Sequence, residues 1–166
     1  MRSRWFSALL LFAFLCSLSA CKGEAHTLLL SPFTAALSYT EADTAFEGVF
    51  TMKSAQSMQL LLRAPRNLQG LQFVFSGGKT ELRFGDVVLS ASDAEALGLP
   101  PLSAGALFEA LCALGDTPFS AADTRTAEVP TKRGTARVVF SDDPLLPKTA
   151  ELGGVTFSFK NAETFS

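Results

Sequence analysis

The chain has 166 residues, 48% of them hydrophobic and 18% charged, with a net charge of −2. That balance excludes intrinsic disorder, which requires low hydrophobicity and high charge. With 14 basic residues against 16 acidic ones and no basic run, it also excludes a basic nucleic-acid binder.

Residues 1–4 carry Arg2 and Arg4, residues 5–15 are almost wholly apolar, and Cys16, Ser17, Leu18, Ser19, Ala20 and Cys21 follow. A charged start, a short apolar core and small residues at the end make a secretory signal peptide over residues 1–20. The apolar run is too short to span a bilayer, which takes about 20 residues. Leu18-Ser19-Ala20-Cys21 resembles the bacterial lipobox. Its small side chains give a peptidase access to the bond before the cysteine, and the nucleophilic thiol accepts a lipid as a thioether. The resemblance implies that Cys21 becomes an acylated N-terminus, and two or more acyl chains anchor stably where one does not. The plainer alternative is ordinary cleavage near Ala20, with Cys21 an incidental thiol. The lipobox reading places the protein outside the cytoplasm, lipid-anchored to the cell membrane. Lys22 after the cysteine, in place of a retention aspartate, directs it to the outer membrane if the envelope has one.

Loss of Arg2 and Arg4 from the 14 basic residues, against 16 acidic ones, moves the net charge from −2 to −4. Cys112 is then the one thiol left, so the core rather than a disulfide must stabilise the fold. Residues 21–31 read as the lipidated N-terminus and a short tether, and residues 32–166 as one β-rich domain.

After Pro32, Phe33, Ala35, Leu37 and Tyr39 alternate with Thr34, Ala36 and Ser38. Residues 46–53 and 58–64 follow as strands, with a turn at Ala55-Gln56-Ser57. Leu71, Phe73 and Phe75 lead into Ser76-Gly77-Gly78-Lys79, and residues 80–84 return; two glycines between alternating runs signal a hairpin. Leu82 and Phe84 alternate with Glu81 and Arg83, which predicts one dry and one wet face. Gly85-Asp86 turns the chain into residues 87–90.

Residues 103–114 form the helix: Pro100-Pro101 blocks helix before it, Ser103 is a candidate N-cap, and Gly115 is a terminator. Leu107, Leu111 and Leu114 recur at helical spacing beside Phe108. Residues 124–129 are a weak edge strand, Lys132-Arg133-Gly134 a turn, and residues 135–141 a strand. Gly153-Gly154 closes a hairpin into residues 155–160. The fold class is α+β: a curved antiparallel β-sheet of about eight strands, an incomplete barrel, with one main helix against its concave face.

No catalytic set emerges. His26, the one histidine, lies in the tether, whereas a catalytic base must be held rigidly by its nucleophile. Gly78-Lys79-Thr80 looks like the end of a phosphate-binding loop, but the glycine required five residues earlier is Phe73. Asp142-Asp143-Pro144 has no third acid for calcium and reads as a turn. Cys112 sits on an apolar helix without a histidine near it and reads as a small core residue. Lys132, Arg133 and Arg137 make a small basic cluster, either a solvated turn or a contact for anionic lipid heads. These readings predict no enzyme, no metal, no cofactor and no nucleic-acid partner.

Phenylalanine dominates the apolar faces. Eight strands spaced by about 4.8 Å make a sheet roughly 34–38 Å across. A twelve-residue helix is about 18 Å long and 10–12 Å wide, so it cannot cover such a sheet laid flat. The sheet must curl around the helix, gain cover from loops, or hold a ligand. Residues 42–46 and 93–102 are the loops available to fill the space. Filled core and ligand cavity are equally open on the sequence.

The curled sheet under a short helix, behind a lipobox, resembles the lipoprotein carriers and receptors of the LolA and LolB type and the mycobacterial lipid-binding lipoproteins. Residues 64–73 (Ala-Pro-Arg-Asn-Leu-Gln-Gly-Leu-Gln-Phe) are similar to the family's strand, Pro-x-x-Leu, turn and strand pattern. Residues 82–87, Leu89 and Ser90 resemble its following hairpin, and residues 155–165 its terminal strand. The chain lacks the long amphipathic helix with which family members usually begin, since residues 22–31 are too short for one. The resemblance implies a lipid- or acyl-chain-binding half-barrel. Phe73, Phe75, Leu82, Phe84, Phe140, Phe157 and Phe159 would line it, with Phe108 on the helix as plug or lid. The competing expectation is a solid-core module that binds an envelope protein partner and has no ligand cavity.

Overall fold

The computed structural model describes residues 26–27, 30–90, 92, 103–116, 118–119, 125–142 and 145–165. The expected signal peptide, Cys21, residues 93–102, Asp143 and Pro144 lie outside the described residues.

The strands in chain order are β1 (His26–Thr27), β2 (Phe33–Glu41), β3 (Thr44–Ser54), β4 (Ser57–Ala64), β5 (Gln72–Ser76), β6 (Lys79–Phe84) and β7 (Val87–Ser90). Helix α1 (Ser103–Ala113) follows, and then β8 (Pro118–Phe119), β9 (Thr126–Thr131), β10 (Gly134–Phe140), β11 (Pro147–Leu152) and β12 (Val155–Thr164). Ten strands form one open sheet in the order β7-β6-β5-β4-β3-β2-β12-β11-β10-β9, and every neighbouring pair is antiparallel. The α+β class and, among the described residues, the single main helix match the sequence reading, and the strand count rises from about eight to ten. The strand not named from sequence is β11, whose Pro147, Lys148 and Glu151 dilute its alternation although Ala150 and Leu152 are buried. Part of the expected tether is also structured, because β1 pairs with β8 beyond the helix.

Period two sorts the side chains. Phe33, Ala35, Leu37 and Tyr39 of β2, and Phe46, Phe50 and Met52 of β3, all turn inward. Met58, Leu60 and Leu62 of β4 and Phe157 and Phe159 of β12 join them in one core. The Gly77-Gly78 and Gly153-Gly154 turns have positive φ at both glycines, as two-residue hairpins with matching twist require. The β2–β3 turn reaches the same region with Ala42 and Asp43, at φ 47° and 62°. Residues 42–46 are therefore a hairpin tip and the start of β3, not a loop folded over the sheet; Phe46 alone among them is buried.

The sheet is strongly curved. Helix α1 packs against β5 on one side and against β9 and β11 on the other. Seven inter-strand spacings separate β5 from β9, roughly 34 Å along a flat sheet. A helix about 10–12 Å wide touches both only if the sheet wraps around it. Irregularities assist the bend. Strand β3 shifts register against β4 at Glu47/Gly48, and β12 shifts against β2 between Lys160 and Glu163, where Asn161 has φ 51°. At Gly48 the chains approach so closely that a Cβ would lie 2.5 Å from the Leu61 carbonyl oxygen.

Candidate functional site

The wrapped sheet places α1 inside the half-barrel. Ser103, Ala104, Ala106, Leu107, Phe108, Ala110 and Leu111 are buried, so the helix is enclosed on most of its circumference. Its small residues allow close approach to the strands. Ser103 is the first helical residue, and its hydroxyl donates to Glu41 Oε1 at 2.5 Å, tying the helix start to the end of β2. The expected N-cap thus serves a contact between elements.

Seven of the eight residues expected to line a cavity are buried in the common core: Phe73, Phe75, Leu82, Phe108, Phe140, Phe157 and Phe159. Several touch through their rings. Phe108 lies 5.9 Å from Phe50 and 6.1 Å from Phe75, and Phe159 lies 5.5 Å from Phe50 and 6.3 Å from Phe33. Phe157 contacts Tyr39, which stacks on Phe46 at 4.8 Å. Burial pushes the Tyr39 phenol well above its ordinary range, and the charge of Glu41 adds to the shift.

Phe84 differs from the other seven. It is 51% exposed at the end of β6, beyond the last paired residue of β5, with its ring edge near Gly70. Its period is that of Leu82, but β5 stops short of it, and only Val87 of β7 stands opposite. Val87 and Val88 across the same hairpin are also exposed.

At the C-terminal end of α1 the two wings of the sheet converge on an open cleft of about 570 Å³. The β5–β6 hairpin contributes Phe75 and Gly78, the helix Glu109 and Cys112, and the β9–β10 hairpin Pro130 and Lys132, among others. Phe75 belongs both to this cleft and to the ring cluster around Phe108. Gly78, singled out as half of a hairpin turn, and Lys132, singled out as part of a basic turn, thus face a common space. Cys112 is partly buried at its wall. Lys132 Nζ lies 4.0 Å from Glu109 Oε1 and is 87% exposed, a pair worth little in water. Arg137 leaves the expected basic cluster, because it stands opposite Glu128 and Glu151 in register on the outward face of β10. A second, more polar hollow of about 580 Å³ lies at the β2–β3 and β11–β12 turns, with Ser38, Thr40, Glu47, Thr156 and Ser158 on its walls.

Of the other candidates, Gly78-Lys79-Thr80 lies in a hairpin, strand to strand, as the sequence predicts. Asp142 pairs with Arg125 at 2.7 Å. Among the described residues no group of three or more His, Cys, Asp or Glu side chains is placed to hold a metal, and no helix is long and apolar enough to cross a membrane.

No family model and no curated protein matches the chain. Among solved structures, it is similar to an uncharacterized conserved protein from Thermus thermophilus, with TM-score 0.46 and 9% identity over 82% of this chain and 80% of that one. It is also similar to a LolA superfamily protein from Nitrosomonas europaea, with TM-score 0.40 and 8% identity over 87% of this chain and 90% of that one.

Proposed function

We infer that this protein is a non-catalytic, membrane-anchored lipoprotein outside the cytoplasm that binds acyl chains or another apolar ligand within its half-barrel. The supporting observation is the double position of Phe75. It lies at the floor of the open cleft and is a ring neighbour of Phe108, so the floor of the cleft is backed by the aromatic core. A cleft of about 570 Å³ falls within the range of small-molecule sites. Phe108 is then the plug, and a ligand would extend inward by shifting its ring away from Phe50 and Phe75. Anchoring rests on the Leu18-Ser19-Ala20-Cys21 sequence.

A second reading has its own support. The concave face is occupied by α1 and by rings packed on one another, as in a solid-core module that binds an envelope protein. Native mass spectrometry of the full chain, purified from a bacterial host and released from detergent, separates the two. The ligand-binding reading expects adducts of lipid mass that disappear on denaturation. A bare protein mass, repeated after incubation with a lipid extract, overturns that reading in favour of the module.

A further inference from the structure

We propose that the cleft at the end of α1 selects amphiphiles with a single anionic head, taking the head at Lys132 and the chain on the Phe75 side. This deepens the apolar-ligand reading above and rests on it. The cleft is asymmetric in chemistry. Its inner wall is Phe75, only 2% exposed and backed by Phe108. Its outer rim is Lys132, held on the tight β9–β10 turn. That turn is braced by Thr131, whose hydroxyl donates to the Gly134 carbonyl at 2.6 Å and accepts from the Arg133 amide at 3.2 Å. A cation on a braced turn at the rim of an apolar cleft complements a carboxylate or phosphate on the end of an alkyl chain.

Glu109 defines the selectivity further. Its carboxylate is the existing partner of Lys132, at the loose distance of 4.0 Å. An anionic head competes with Glu109 for that ammonium, and a cationic head meets the ammonium as a like charge. A neutral head gains nothing from either group. Each class of ligand therefore differs at the rim while sharing the same apolar wall.

The test is displacement of the neutral dye Nile red from the full chain by oleate and by its neutral counterpart, oleyl alcohol. At low salt, oleate is expected to compete about two- to fivefold better, the scale of one solvent-exposed ion pair. The preference should shrink as salt rises, because Lys132 is exposed. Lys132→Gln should bring oleate down to the level of the alcohol. Glu109→Gln should improve oleate alone by removing its competitor. The two variants move oleate in opposite directions, so general loss of fold cannot imitate the pattern, and thermal melts confirm that each variant is folded. If both ligands compete equally and neither variant changes oleate, head selection at this cleft is wrong while apolar binding stands. If neither ligand nor Nile red binds, the apolar-ligand reading fails, and this proposal fails with it.

Discussion

Ser103 and Glu41, 62 residues apart in sequence, are joined by a hydrogen bond from the serine hydroxyl to the carboxylate. The serine is 7% exposed and is the buried polar residue among the described positions. Sheet and helix are thus pinned at the start of α1 by a polar contact, beside the apolar packing along the helix. Ser103→Ala should lower stability by about 1–2 kcal/mol, the usual scale for removing one partner of a charge-assisted bond. Urea denaturation measures it, and an unchanged midpoint would show that the contact is energetically idle.

Gly48 carries the tightest approach in the sheet. A methyl there would meet the Leu61 carbonyl oxygen at 2.5 Å and Leu60 Cδ1 at 2.8 Å. The backbone oxygen cannot rotate aside as a side chain can. Gly48→Ala is expected to cost about 1–3 kcal/mol by overpacking. Gly115→Ala, where nothing lies within 4 Å, should stay within about 0.5 kcal/mol of the parent. Paired denaturation curves decide between them.

Phe108 and Phe84 should behave oppositely, although the sequence placed both on the apolar side. Phe108 is fully buried among Phe50 and Phe75, so Phe108→Ala should cost about 3–5 kcal/mol. If it is also the plug, the surviving folded variant should bind more Nile red than the parent. Phe84→Ser at a half-exposed hairpin end should cost under about 1 kcal/mol. A calorimetric scan showing equal losses would place Phe84 in the core after all.

Tyr39 is the one tyrosine of the chain, so its titration can be followed without interference. Burial raises its pKa above the ordinary 10.0, and the Glu41 charge adds to the shift. The folded chain therefore keeps a proton that the unfolded chain releases above pH 10. The associated stability is fully present below that pH and is lost as pH rises further. The phenolate absorption band should stay absent in the native protein when free tyrosine has already ionised. A native titration centred at the ordinary value would contradict the burial of this ring.

Acylation at Cys21 has a direct assay. Cells expressing the chain should incorporate labelled palmitate, and Cys21→Ser should abolish the label and release the protein from the membrane fraction. Equal labelling of the variant would exclude Cys21 as the lipidated residue.

Local periodicity made most of the sheet readable. The double glycines at 77–78 and 153–154 and the alternation of β2 to β6 placed strands and turns within a few residues. The helix was bounded by Pro101 and Gly115 with similar accuracy, ending at Ala113 before a short tighter turn at Leu114–Asp116. Strand β11 was missed because its polar positions break the apolar pattern. Ala42 and Asp43 turn with positive φ but carry none of the glycine or asparagine signal that usually marks such turns. The exposure of Phe84 depends on where β5 begins, which alternation within β6 cannot reveal. The cleft was hidden for a stronger reason. Gly78 and Lys132 lie on hairpins more than fifty residues apart, and only the curvature of the whole sheet brings them together.

The pairing of β2 with β12 has a consequence for assembly. The strands β2 to β7 form one run of successive hairpins, and β9 to β12 form another. Each can zip by short loops, the cheap kind of chain closure. Within the sheet, one seam between residues 33–41 and 155–164 joins them, and it closes only when the last strand has been made. Until then the first run has Phe33, Leu37 and Phe50 waiting for Phe157 and Phe159. A chain threaded through a membrane N-terminus first, as the proposed anchoring requires, has this seam as its natural delay. Both halves gain their shared interior only when the final strand, residues 155–164, is in place.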